Sequence, residues 1–122
     1  MGNPDVRPKD ATPGKARALR SQMLDPADAV RLARQAQALS DATRVNLLLL
    51  IREARTVCVS DLCVITEREQ SGISRHLRIL YDAGLVSRRR LDLWVLYETT
   101  DAGKRLLSRT GFDGDRFSWF PI

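Results

Sequence analysis

Apolar residues at Ile73, Leu77 and Leu80 recur at i, i+4 and i+7, which predicts a helix with one buried stripe. Gly84 follows the last periodic positions and is the natural stop for that helix. Two short runs of strand character come next, Val86 to Leu91 and Leu93 to Glu98, joined around Leu91-Asp92-Leu93. Upstream, Asp25-Pro26 opens a helix reaching about Leu39, with Asp as N-cap and Pro in the first turn. Ser40-Asp41 caps a second helix, Ala42 to Ala54. Its core VNLLLLI is too continuously apolar for one exposed-side stripe, so it is expected to be buried on most of its circumference. Ser60 is expected to cap a short third helix beginning at Asp61-Leu62. Thr66 and Glu69 have capping-box spacing ahead of the Ile73 helix. Thr100 caps a last helix from Asp101 to about Thr110. The pattern is mainly α with a small β-hairpin.

The face of the Ile73 helix away from its apolar stripe gives the pattern a direction. Ser71, Arg75 and Arg78 lie there, flanked by Gln70 and Ser74 near the helix start, with His76 in the same run. A helix with a buried back and a front of Gln, Ser and Arg fits a DNA major groove, where such side chains reach base edges and phosphates. The hairpin that follows carries Arg88, Arg89 and Arg90 on its first strand and Trp94 to Tyr97 on its second. A recognition-type helix followed by a basic hairpin is a winged helix-turn-helix, the hairpin being the wing. Its tip has Asp92 but no glycine and no Asn-Gly pair.

Composition agrees. The chain has 122 residues, 43% of them hydrophobic, enough for one domain with a modest core. Its formal charge of +5 suits a polyanionic partner, although a basic balance alone supports nucleic acid only weakly. The charge is concentrated, since residues 1–24 and residues 67–90 are each net +3. Residues 1–24 read as a flexible basic arm, disordered to about residue 20. Residues 25–111 read as the DNA-binding and dimerisation domain, and 112–122 as a tail with Phe112, Phe117, Trp119 and Phe120. No stretch has signal-peptide or bilayer-spanning length, and two cysteines do not make a disulfide scaffold, so the expected location is the cytoplasm. One histidine and no phosphate loop, nucleophile elbow or carboxylate pair argue for a non-enzyme that requires no cofactor.

The segments ALSDATR (38–44), DLC (61–63), QSGISRHLRILYDAGLVSRRR (70–90) and WVLYE (94–98) resemble the arsenic-repressor family of winged-helix regulators (ArsR/SmtB). Members show ALSDPTR, a D/E-L-A helix start, SQSTVSRHL, an AGLV segment and a W-V-Y-Y wing strand. The resemblance implies a homodimer formed by the first and last helices. It implies repression at a palindromic operator on double-stranded DNA until an effector releases the protein. Three departures stand out. Ala42 replaces a proline, Thr66-Glu67-Arg68-Glu69 replaces an apolar-Gly-apolar-Ser turn, and Leu91-Asp92-Leu93 replaces a glycine-containing wing tip.

The effector turns on TVCVSDLC, residues 56–63. Arsenite-responsive relatives resemble L-C-V-C-D-L-C here, so Cys58 and Cys63 match the first and third thiols and Ser60 stands at the second. Soft thiolates suit trivalent arsenic or antimony first, with cadmium or lead behind them. Two thiols suit an organoarsenical with two open valences at least as well as arsenite. Metal-blind relatives show V-S-E-L-A here. On that pattern Ser60 caps a helix, Cys63 fills a small core site and the signal lies elsewhere, thiol oxidation being one alternative. The last helix has no histidine for the family's other metal site, and two Cys with one His cannot close a zinc finger. A third reading is a protein-interaction module that uses the aromatic tail.

Overall fold

The computed structural model describes residues 12–109, which divide into two compact units after Val30. In the first unit, α1 spans Pro13–Arg20. Thr12 Oγ1 accepts the Lys15 N–H at 3.3 Å, and Pro13 starts the helix. A helix here corrects the expectation of a disordered arm as far as residue 20. Prolines, glycines and scattered charge leave residues 1–20 little to bury. α1 buries no side chain and rests instead on its cap, its proline, and Arg17 and Arg20 in the last turn. Residues 1–11 and the aromatic tail lie outside the described residues. Helix α2, Pro26–Ala38, begins in this unit, with Asp25 Oδ2 accepting the Ala27 N–H at 3.2 Å.

The second unit holds the rest of α2, then α3 (Ala42–Ala54), β1 (Val57–Cys58), α4 (Val59–Thr66) and α5 (Gln70–Asp82). The chain continues with β2 (Val86–Leu91), β3 (Trp94–Thr99) and α6 (Asp101–Arg109). Its core is built on α3, where Leu47, Leu48, Leu49 and Ile51 are all buried. Consecutive apolar residues on a helix point in every direction, so α3 is covered on most sides, as its sequence required. Leu62 of α4, Ile73, Leu77 and Leu80 of α5, Val57, Leu85, Val86, Tyr97 and Leu107 complete the cluster. Asp41 caps α3, its Oδ2 accepting the Arg44 N–H at 3.1 Å. That backbone bond holds the Asp41 carboxyl below its ordinary pKa, with Arg44 and His76 adding to the effect.

The sheet is antiparallel in the order β1-β3-β2. Its β2–β3 register runs from Val86↔Thr99 to Leu91↔Trp94, leaving Asp92-Leu93 as a two-residue turn. Asp92 takes a φ of 55°, the positive value such hairpin turns use, which Asp tolerates better than most residues. β1 adds two residues to the other edge of β3, pairing Val57↔Tyr97 and Cys58↔Leu96. Two residues carry no readable alternation, so this strand could not be seen from the sequence.

Two caps differ from expectation. Helix α4 begins at Val59 with Cys58, not Ser60, as its N-cap. Thr66 does not cap α5. It ends α4 and donates its hydroxyl to the Leu62 carbonyl at 2.7 Å, while Glu69 is the N-cap residue of α5, without a side-chain cap bond. Both α4 and α5 close on the same motif. After α5, Gly84 sits at φ 76° while its N–H reaches Tyr81 O and the Leu85 N–H reaches Leu80 O. After α4, Glu67 sits at φ 55° while its N–H reaches Val64 O and the Arg68 N–H reaches Cys63 O. Glu67 thus does the work of a glycine in the turn between the two helices, at a conformational cost that glycine would avoid. α6 packs tightly at Gly103, where a Cβ would collide with the Leu85 carbonyl oxygen.

Candidate nucleic-acid interface and thiol site

Burial of Ile73, Leu77 and Leu80 fixes the rotation of α5. Gln70, Ser71, Ser74, Arg75 and Arg78 are all exposed as a result. Arg78 Nε lies 3.8 Å from Asp82 Oδ2, one turn on, whereas Arg75 has no ion-pair partner among the described residues. A shallow cavity of about 260 Å³ opens at the start of α5, with Arg68, Ser71, Arg75 and His76 among its walls. His76 itself turns inward. Its side chain is 22% exposed, with Nδ1 3.3 Å from Arg44 Nη1 and 3.9 Å from Asp41 Oδ2. It ties α5 to the start of α3 instead of joining the exposed front.

The three wing arginines are not equivalent. Arg88 lies with its guanidinium 4.1 Å from the centroid of the Tyr81 ring, fastening the wing to the end of α5. A hydrogen bond to Tyr97 and the nearby Tyr81 push its pKa above the ordinary value. Arg89 Nε donates to Glu98 Oε1 at 3.3 Å, and that oxygen also accepts from Thr56 Oγ1. Arg90 has no ion-pair partner among the described residues and is exposed. Position in the register decides this division. Arg88 faces the Tyr97 side of the hairpin, and Arg89 the Glu98 side. The turn beyond them ends in Leu93, 96% exposed, beside the exposed Leu91 and Trp94.

Both cysteines are free and half-buried. Cys58 Sγ lies 3.1 Å from Ser60 Oγ, in a cavity of about 240 Å³ whose other walls include Gln70 of α5 and Trp94 of the wing. Cys63 packs against the core from α4. Cys58 is the N-cap and Cys63 the fifth residue of α4, so four helical residues separate them, and five helical steps amount to roughly 7.5 Å of rise and 140° of rotation between their Cα atoms. The folded helix therefore holds the two Cα atoms roughly 7.5 Å or more apart. Among the described residues no group of three His, Cys, Asp or Glu side chains is placed to hold a metal ion. The family resemblance in the sequence paired the thiols. It gave no sign that Cys58 stands between the recognition helix and the wing, because that placement depends on β1 joining β3.

Residues 41–88 match the model of the bacterial regulatory proteins of the arsR family. The arsenical resistance operon repressor of Escherichia coli K12 is 42% identical over 59 residues, covering 48% of this chain and 50% of that protein. An uncharacterised HTH-type transcriptional regulator of Methanocaldococcus jannaschii is 35% identical over 65 residues, covering 53% of this chain and 73% of that protein. The chain thus spans about half the length of the Escherichia coli repressor and more of the archaeal protein. Among solved structures, the homodimeric winged helix-turn-helix DNA-binding domain of a possible ArsR-family regulator from Mycobacterium bovis superposes with a TM-score of 0.64. It is 24% identical, covers 73% of this chain and 84% of that one, and shares the fold. The helix pair α4–α5, the hairpin beside it and the matched sequence together place this chain in the arsR family of winged helix-turn-helix regulators.

Proposed function

We propose that this chain is a transcriptional repressor that binds a palindromic operator as a homodimer and is released by a thiophilic effector at Cys58 and Cys63. The observation that carries the DNA reading is the rotation of α5. Its apolar stripe is wholly buried, and its Gln, Ser and Arg front is left open beside a basic wing. Gln70, Ser74 and Arg75 would meet base edges in the major groove, with Ser71 and Arg78 beside them. The wing, chiefly Arg90, would meet the backbone. His76 supports the helix from behind. Two such helices about one DNA turn apart, or a multiple of it, read a palindrome, which requires a dimer. The Mycobacterium bovis domain is a homodimer by its description. α2 and α6 are the elements proposed for the interface here. None of the described helices is long and apolar enough to cross a membrane, and a repressor of this kind works in the cytoplasm, with its DNA.

The effector reading is supported by the two thiols at matching family positions and by the arsenical resistance repressors among the relatives. Soft sulfur donors suit trivalent arsenic or antimony. Holding one atom between Cys58 and Cys63 requires the first turns of α4 to open, because the intact helix separates the thiols. Opening α4 disturbs the Glu67 turn and so the seat of α5, which gives release a structural route. An organoarsenical with two open valences needs no third ligand and is expected to act at least as well as arsenite. The same separation counts against oxidation to a disulfide within one protomer, since Cα atoms more than about 7 Å apart cannot be bridged without backbone movement.

The test is operator release by arsenite and methylarsenite under reducing conditions, for wild type, Cys58→Ser, Cys63→Ser and the double variant. Release of wild type alone, with DNA affinity unchanged in all variants, is the expected result. A wild-type protein that ignores both compounds, or a double variant that still responds, ends the thiol-sensor reading. A monomer at micromolar concentration, unaffected by DNA, ends the dimer reading.

A further inference from the structure

We propose that the cavity between the end of α3 and the start of α6 binds a small phosphate-type oxyanion. The cavity is about 490 Å³, within the range of small-molecule sites, and its walls are mainly polar and charged. Arg52 and Arg55 enter from the end of α3, Lys104 from α6, and Glu98 and Thr99 from the end of β3. Three cations therefore line the cavity, one of them, Arg52, already paired with Glu53, and they face the single lining carboxylate of Glu98. That carboxylate is already occupied, accepting from Thr56 Oγ1 and from Arg89 of the wing, each at 3.3 Å.

Three further features distinguish this site from a solvated basic patch. Thr99, one of the lining residues, is only 9% exposed, and its hydroxyl oxygen is buried beneath the surface without a hydrogen-bond partner among the described residues. Native structures satisfy nearly all such groups, so an orphan here asks for an incoming acceptor or donor. The Arg52 side chain is 14% exposed, its guanidinium held with Nη2 3.4 Å from Glu53 Oε1. A guanidinium fixed this way loses little freedom on meeting an oxyanion. Arg55 has φ 67° and ψ −57°, with the Thr56 N–H reaching back to Ala54 O at 2.8 Å. This is a γ-turn in the strained sense, on a residue with a Cβ. A glycine would make the turn without strain, yet an arginine stands there.

The positive charge has an ordinary explanation at Arg52 and Arg55, since cations near a helix C-terminus answer its dipole. Lys104 has none. It stands in the first turn of α6, where the dipole disfavours a cation. Two guanidinium forks, an ammonium and, once the wall shifts to uncover it, the Thr99 hydroxyl form a donor set for a tetrahedral oxyanion, and Arg89–Glu98 makes the site one side chain distant from the wing. Inorganic phosphate and the phosphate monoester of a small metabolite share this chemistry.

The test uses the full chain without DNA, at constant ionic strength. Sodium chloride is exchanged for inorganic phosphate in one arm and for glycerol phosphate in the other, with amide chemical shifts followed by NMR. Saturable shifts at Thr56, Thr99 and Lys104 that chloride does not produce are expected in at least one arm. The arm that saturates at lower concentration identifies the source. Lys104→Gln and Arg55→Gly should each weaken that binding at least tenfold. Arg55→Gly should also melt at a higher temperature without anion, because glycine relieves the positive φ, so its lost binding cannot be lost folding. Absence of saturable shifts in both arms, or undiminished binding in both variants, overturns the proposal.

Discussion

The wing arginines allow the DNA geometry to be tested quantitatively. Arg88 is engaged with Tyr81 and Tyr97, Arg89 with Glu98, and Arg90 with no acidic partner among the described residues. Each phosphate contact contributes about 0.9 to the slope of log K against log salt on duplex DNA. Arg90→Ala removes one contact per protomer, so a dimer should lose about 1.8 from its slope. Between about 50 and 200 mM salt, a fourfold change, the gap between wild type and variant should narrow by roughly 12-fold. Arg89→Ala should flatten the slope less, because that arginine already shares its charge with Glu98. Arg75→Ala should behave differently, costing about 1–3 kcal/mol per base contact and relaxing sequence preference. Fluorescence anisotropy on operator and scrambled duplexes across that salt range measures all three. Equal flattening by Arg89→Ala and Arg90→Ala, or a wild-type slope in Arg90→Ala, would refute the division of labour within the wing.

Three further expectations concern the scaffold. Glu67→Gly should stabilise the protein by about 0.5–1 kcal/mol, the relief of a left-handed Glu less the added freedom of glycine when unfolded, seen as a higher urea midpoint at unchanged m; a lower midpoint would mean the Glu67 side chain contributes more than its backbone costs. Gly103→Ala should destabilise by about 1–3 kcal/mol, because its Cβ meets the Leu85 carbonyl and Thr99 Cγ2, and a wild-type melting temperature would contradict that close approach. Asp41 has a lowered folded pKa, so its contribution is present above the ordinary carboxylate value and is lost as pH falls through the folded value. Asp41→Asn keeps an N-cap that does not titrate and should lose less stability than wild type over that acid limb. Identical pH profiles would count against the cap's role.

Much of this protein is written in its local pattern. The Ile73-Leu77-Leu80 period determines both the existence of α5 and which face it turns outward, since one rotation buries all three. The continuous apolar run of α3 announces a central helix. Gly84 ends α5 where the left-handed position needs it, and Asp25-Pro26 and Asp41 start their helices as short polar caps do. Each of these is decided within about one helical turn of chain, where neighbours in sequence are neighbours in space.

Apart from α1, what the pattern could not supply depends on residues far apart in the chain. α1 forms without burying anything, so a reading based on apolar periodicity passed over it. Cys58 caps α4 in place of Ser60, and it does so while its backbone pairs with Leu96 across nearly forty positions. Arg88, Arg89 and Arg90 are one basic run in the sequence. Only the β2–β3 register and the packing of α5 give the first to aromatic rings, the second to Glu98 and the third to solvent. His76 reads either as a backbone contact or as local packing, and only the fold brings Asp41 and Arg44 beside it. The sequence determined helices α2 to α6, the hairpin and which faces are apolar, because propensity and periodicity are local. The tertiary structure decided which charges remain exposed and where the thiols lie, because pairing and burial are not.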